Sequence, residues 1–126
     1  MLPPSRSRHR TVLLGSLLNL AAAAHAAAEA GEDVVVLCAG FKGAFALDDA
    51  YCAGRIVQLL DGDRTDAAIA AALIAESYPT AHDALNARTY GPPGLEDDIA
   101  FCARENVLEA VPRLVGSIGA AAVMGL

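Results

Sequence analysis

Two adjacent carboxylates, Asp48 and Asp49, close a stretch that reads DVVVLCAGFKGAFALDD from Asp33 to Asp49. The apolar run Val34 to Leu37 predicts a buried strand, Cys38-Ala39-Gly40 its exit, and the acidic pair the first turn of a helix. In open α/β sheets, ligands sit where a strand gives way to a helix at its carboxyl end. Carboxylates there suit magnesium, a hard cation that takes one or two of them together with phosphate oxygens. Asp48 and Asp49 are thus candidate metal ligands, and Asp49 also a candidate catalytic group. Adjacent helical residues point about 100° apart, so the pair need not share one ion. Acidic residues are also favoured at any helix N-terminus by the helix dipole, which accounts for both without a metal.

Gly40, Lys42 and Gly43 lie between the strand exit and the helix. Their backbone N–H groups, with the Lys42 ammonium, are candidates for holding an anion such as phosphate. Neither a G-x-x-x-x-G-K-[ST] loop nor a GxGxxG fingerprint is present. Cys38 is a candidate nucleophile at the strand end, although no His stands near it in the sequence to activate it. Asn19 stands where a first strand passes into a helix. It can cap that helix or point into the same cleft as Gly40. His9, His25 and His82 are scattered and have no zinc spacing. Ser16 and Ser77 lack a GxSxG elbow.

The elements that must position these residues follow from periodicity. Thr11 to Leu17 predicts a strand, Asn19 to Ala30 an Ala-rich helix ended by Gly31, and Asp33 to Cys38 the next strand, together a βαβ unit with parallel strands. The start also resembles a secretory signal, with Arg6, Arg8 and Arg10, an apolar run, and Ala24-His25-Ala26 as a small-x-small site. The βαβ reading accounts for the same residues and is the expectation adopted. Met1 to Arg10, polar and aperiodic, is expected to be irregular, and residues 11–126 to form one α/β domain.

Further along, Ala50, Ala53, Gly54, Val57 and Leu60 mark a helix from Asp48 to Leu60. Gly54 inside it costs about 1 kcal/mol relative to Ala, which a close approach of another backbone would explain. Thr65 to Ser77 predicts a helix capped by Thr65, Thr80 to Arg88 a short one, and Leu95 to Arg104 another. Tyr90-Gly91-Pro92-Pro93-Gly94 is a breaker between the last two. Ala110 to Val115 predicts a short strand at a sheet edge because of Pro112. The apolar tail from Gly116 is too short for a membrane span. The fold class expected is α/β, a three-layer-like domain with a small, mostly parallel sheet and Ala-rich helices.

Composition narrows the partners. The 126 residues are 55% hydrophobic but only 5% aromatic, and the net charge is -6. Nucleic-acid binding usually needs a basic face, so no nucleic-acid partner is expected, and no membrane partner either. Three widely spaced cysteines read as reduced thiols in a cytoplasmic protein rather than a disulfide framework.

Several blocks together resemble the 2-phosphosulfolactate phosphatase family of coenzyme M biosynthesis. They are Gly15-Ser16-Leu17-Leu18-Asn19, Val36-Leu37-Cys38-Ala39-Gly40, Gly43-Ala44-Phe45, Leu47-Asp48-Asp49, Ala53-Gly54, Asp98-Ile99-Ala100-Phe101-Cys102 and Val111-Pro112. Ala46 stands where that family usually has Ser, which removes a helix cap, and Asp48 where it usually has Glu; Asp49 matches the acidic position. Family members are about twice as long, and the chain is similar to their C-terminal half. The resemblance implies a partial version of the family's fold and a Mg²⁺-dependent phosphatase releasing sulfolactate and phosphate from a small phosphorylated acid. Lys42 or Arg55 would meet the sulfonate. It leaves open a non-catalytic remnant or oligomerisation module, and in either case a homo-oligomer.

Overall fold

The Ala-rich segments make the helices that periodicity predicts. The computed structural model describes residues 11–31 and 33–126, so the irregular segment expected for Met1 to Arg10 lies outside the described residues. The helices are α1 (Leu20–Glu29), α2 (Leu47–Gln58), α3 (Asp66–Glu76), α4 (Ala81–Asn86) and α5 (Glu96–Cys102). A 3-10 turn, Leu17–Asn19, leads into α1. The strands are β1 (Arg113–Ile118) and β2 (Ala121–Gly125).

Local side chains cap the 3-10 turn, α3 and α4. Ser16 Oγ accepts from the Leu18 amide at 3.2 Å while Asn19 Oδ1 accepts from the Ser16 amide at 2.8 Å, a reciprocal cap. Thr65 caps α3 as expected, its Oγ1 accepting from the Ala68 amide at 3.2 Å. Thr80 caps α4 through the Asp83 amide at 3.1 Å. Ala46 gives α2 no side-chain cap. Asp48 and Asp49 in its first turn, and Arg55 in its last, still complement the helix dipole.

The centre of the packing is α2 against α3. Ala50, Tyr51, Ala53 and Gly54 of α2 are buried, as are Ala72 and Ala75 of α3. A Cβ placed on Gly54 would lie 2.0 Å from the Ala71 carbonyl oxygen and 3.0 Å from the Ala75 methyl. Here is the backbone approach that the helical glycine implied. Tyr51, 2% exposed, is the largest fully buried side chain and packs with Leu17, Leu20, Ala81 and Ala84. Its ring meets Tyr78 edge-on at 6.1 Å. Arg55 donates to the Tyr51 hydroxyl at 3.0 Å and pairs with Glu105.

The sheet differs from the one expected. Instead of a mostly parallel sheet, the described residues form a two-stranded antiparallel hairpin, with a register irregularity between Leu114 and Gly116. Thr11 to Leu17 shortens to an antiparallel bridge between Leu13 and Arg113. The Leu14 amide donates to the Pro112 carbonyl at 3.0 Å and the Leu114 amide to the Val12 carbonyl at 2.9 Å. Asp33 to Ala39 is not assigned as a strand, and its backbone has no backbone hydrogen bond among the described residues. Val35 is 86% and Leu37 90% exposed. Valine-rich sequence favours a pleated, half-buried position, but a strand also needs a neighbour with matching free edges. The neighbour that Thr11 to Leu14 finds is the hairpin, which leaves the βαβ pairing unformed. Mixed helix and sheet remain as the class; the parallel arrangement does not.

Because Gly54 faces a backbone oxygen rather than the end of a flexible side chain, Gly54→Ala should destabilise the fold by about 1–3 kcal/mol. Urea denaturation would measure it, and an unchanged midpoint would mean that α2 and α3 separate freely at this crossing.

Candidate functional site

The junction between Cys38 and Asp49 is held by three local devices. Lys42 and Gly43 both have positive φ, 50° and 75°. Phe41 and Ala44 exchange two backbone hydrogen bonds of 3.0 Å each. Together these make a two-residue hairpin of the kind that needs positive φ at both central positions. Gly40, at φ 74°, passes so close to the Ala44 carbonyl oxygen that a Cβ there would lie 2.9 Å from it. The third device is the Gly40 amide, which donates to Asp49 Oδ2 at 2.7 Å.

That bond changes the meaning of the expected anion site. The Gly40 amide points at an anion, but the anion is the chain's own Asp49 carboxylate. The Phe41 and Ala44 amides are used by the hairpin. Lys42 is exposed, with its ammonium 5.5 Å from the centre of the Phe41 ring. The amides of Lys42 and Gly43 and that ammonium are the donors of this loop with no hydrogen-bond partner among the described residues.

Asp48 sits beside Asp49, both partly buried. Asp48 Oδ1 accepts from the Asp49 amide at 3.0 Å and from the Tyr90 hydroxyl. Tyr90 also stacks on Phe41, with ring centres 4.5 Å apart and planes 25° from parallel. Burial, followed by the Asp48 contact, pushes the Tyr90 hydroxyl well above its ordinary pKa, so it stays a donor. One oxygen of each carboxylate is thereby committed to the protein, and the other has no hydrogen-bond partner among the described residues.

A magnesium site can be tested against this donor set. No group of three or more His, Cys, Asp or Glu side chains converges among the described residues. Two hard carboxylate oxygens are nonetheless what Mg²⁺ commonly takes from a protein, water and phosphate supplying the rest. The oxygens that Asp48 and Asp49 leave free are donors of the kind such a site takes.

The other candidates are placed differently. Cys38 is exposed; burial of part of its surface, and then the Asp49 charge, raise its thiol pKa, which lowers the thiolate a nucleophile needs. Asn19 is 5% exposed, and its amide is spent on protein: Nδ2 donates to the Leu14 and Ala110 carbonyls at 3.1 and 3.0 Å, and Oδ1 accepts from Ser16. It makes no cap to α1. Asn106 does so instead, at φ 57°, with Oδ1 accepting from the Ala21 amide at 2.8 Å. Arg55 lies in a separate groove of about 620 Å³ with Tyr78, His82 and Glu105, away from the junction. Sequence reasoning missed Tyr90 and Asn106. Asn106 alone left a signal, since asparagine is enriched at positive φ.

The described residues thus form a helix-rich domain with a small antiparallel sheet, an α/β class, that carries paired carboxylates beside a glycine turn. The family model described as 2-phosphosulpholactate phosphatase matches residues 3–117. The chain is 40% identical over 121 residues to a probable 2-phosphosulfolactate phosphatase of Thermus thermophilus, covering 89% of this chain and 51% of that protein. It is 36% identical over 104 residues to the 2-phosphosulfolactate phosphatase of Methanothermobacter thermautotrophicus, covering 79% of this chain and 46% of that protein. A probable 2-phosphosulfolactate phosphatase of Thermotoga maritima is 33% identical over 117 residues, covering 88% and 51%. The chain belongs to the 2-phosphosulfolactate phosphatase family, and it spans about half the length of the curated relatives it matches.

The thiols give a direct check on the electrostatics. Burial, reinforced by Asp49, pushes Cys52 up to about 11, so at pH 8 about one molecule in a thousand carries its thiolate. A disulfide reagent at pH 8 should modify exposed Cys102 first and Cys52 last, and Cys52 should speed up steeply as the pH rises towards 11. Cys52 reacting as fast as Cys102 at pH 8 would contradict the assignment.

Proposed function

We propose that this chain carries the site of a Mg²⁺-dependent phosphatase acting on 2-phosphosulfolactate, a phosphate ester of a small sulfonated hydroxy acid. The observation that carries the proposal is the joining of the paired carboxylates Asp48 and Asp49 to the Gly40 turn, in a member of this family. Asp48 and Asp49 would hold the cation through their free oxygens. Bound there, Mg²⁺ would neutralise charge developing on the transferred phosphoryl group. The Gly40 amide orients Asp49, so Gly40 serves the phosphate indirectly. The free amides of Lys42 and Gly43, with the Lys42 ammonium, supply positive potential for the phosphate or the sulfonate. Water attacks phosphorus, the ester P–O bond breaks, and the departing sulfolactate oxygen takes up a proton. Cys38 lines the site as a thiol, and Asn19 holds the preceding segment against Ala110. The free thiols suit a cytoplasmic protein.

A second reading rests on the exposure of Val35 and Leu37 beside the Asp33 to Ala39 backbone, which makes no backbone hydrogen bond among the described residues. Apolar strand-forming surface of this kind pairs with further polypeptide. On that reading the chain is a non-catalytic or oligomerising module that needs another copy or segment to cover this face.

Purified chain with Mg²⁺ and 2-phosphosulfolactate should release phosphate, and Asp49→Asn should weaken Mg²⁺ binding measured by calorimetry. Turnover without Mg²⁺, or unaltered affinity in Asp49→Asn, would remove the metal role of Asp49. An intact fold with no turnover would favour the second reading. That reading further expects a mass above one chain by light scattering, and loss of the extra mass in Val35→Lys; a monomeric wild type would count against it.

A further inference from the structure

Tyr90 lies 42 residues from Asp48 in the sequence, in the loop between α4 and α5, yet it touches both sides of the junction. Its ring covers Phe41, at the base of the Lys42-Gly43 hairpin. Its hydroxyl donates to Asp48 Oδ1, the oxygen that also accepts from the Asp49 amide. Consecutive residues on a helix diverge by about 100°, so Asp48 and Asp49 do not converge by default. Asp49 is oriented by the Gly40 amide. Tyr90 is the corresponding restraint on Asp48, supplied from outside the helix.

We propose that Tyr90 is a positioning residue that holds Asp48 through its hydroxyl and the Phe41–Ala44 hairpin through its ring, keeping the two carboxylates in one arrangement for a divalent cation. This rests on the metal-binding role proposed for Asp48 and Asp49. The physical gain is preorganisation. A carboxylate already held in one rotamer loses less side-chain entropy when it meets an ion. A partner that orients a ligand from behind is commonly worth ten- to a hundredfold in metal affinity.

Two substitutions separate the contacts. Tyr90→Phe keeps the ring on Phe41 and removes the hydroxyl; Tyr90→Leu removes both. In the full chain, Tyr90→Phe should weaken Mg²⁺ binding by about tenfold in calorimetry, with an unchanged thermal midpoint. In amide exchange without metal, Tyr90→Phe should speed exchange at Asp49, and Tyr90→Leu also at Phe41 and Ala44. If wild type binds Mg²⁺ and Tyr90→Phe binds it equally well, the positioning role of the hydroxyl is overturned while the metal site stands. If wild type binds no Mg²⁺, the metal reading falls and exchange alone decides: unchanged protection at Asp49, Phe41 and Ala44 in Tyr90→Leu overturns the latch, and faster exchange sustains it.

Discussion

The hydrogen bond from the Gly40 amide to the Asp49 carboxylate, 2.7 Å long, organises the candidate site. It joins the segment that ends at Gly40 to the first turn of α2, which has no side-chain cap of its own at Ala46. A charged acceptor makes this one of the stronger kinds of hydrogen bond. It also sets the direction in which Asp49 points and uses the N–H that an external anion would otherwise find. The turn that closes behind it needs Gly40 to lie against the Ala44 carbonyl, and needs positive φ at Lys42 and Gly43. Each device would be strained or purposeless without the others.

The position of that bond in turn depends on α2. Small residues on one face of this helix let α3 approach to backbone contact at Gly54, and Tyr51 on the same helix fills the centre of the core. The acidic end of α2 is therefore presented by a rigidly packed helix. A site built on such an element holds its groups more closely than one built on loops alone. Tyr90 adds a loop-borne contact, so Asp48 and Asp49 are each held by a different part of the chain.

Much of this was legible in the residues. The helices lie close to where their periodicity predicts, Thr65 caps α3, and the helical Gly54 does mark a backbone approach. The junction itself was legible because Gly, Lys-Gly and Asp-Asp have strong local preferences. The pairing of the strands was not. Thr11 to Leu17 and Asp33 to Cys38 carry the composition of strands, but composition specifies an extended backbone and is silent on which edge it will meet. Asn19 and Asn106 show the same limit. Either could cap α1, and the cap went to the residue whose distant segment folds back onto Leu17 and Leu18.

By itself, then, the sequence determined the helices, the threonine caps of α3 and α4, the glycine turn and the acidic helix start, because each is settled among residues within about four positions of one another. Family membership was legible for a related reason, since the order of such local blocks survives in the linear chain. Only the tertiary structure decided what those groups face. It turned the Gly40 amide onto Asp49, brought Tyr90 to Asp48, withdrew Arg55 to Glu105 and paired Leu13 with Arg113. A donor or a strand edge has many possible partners along a chain, and packing alone selects the one within reach.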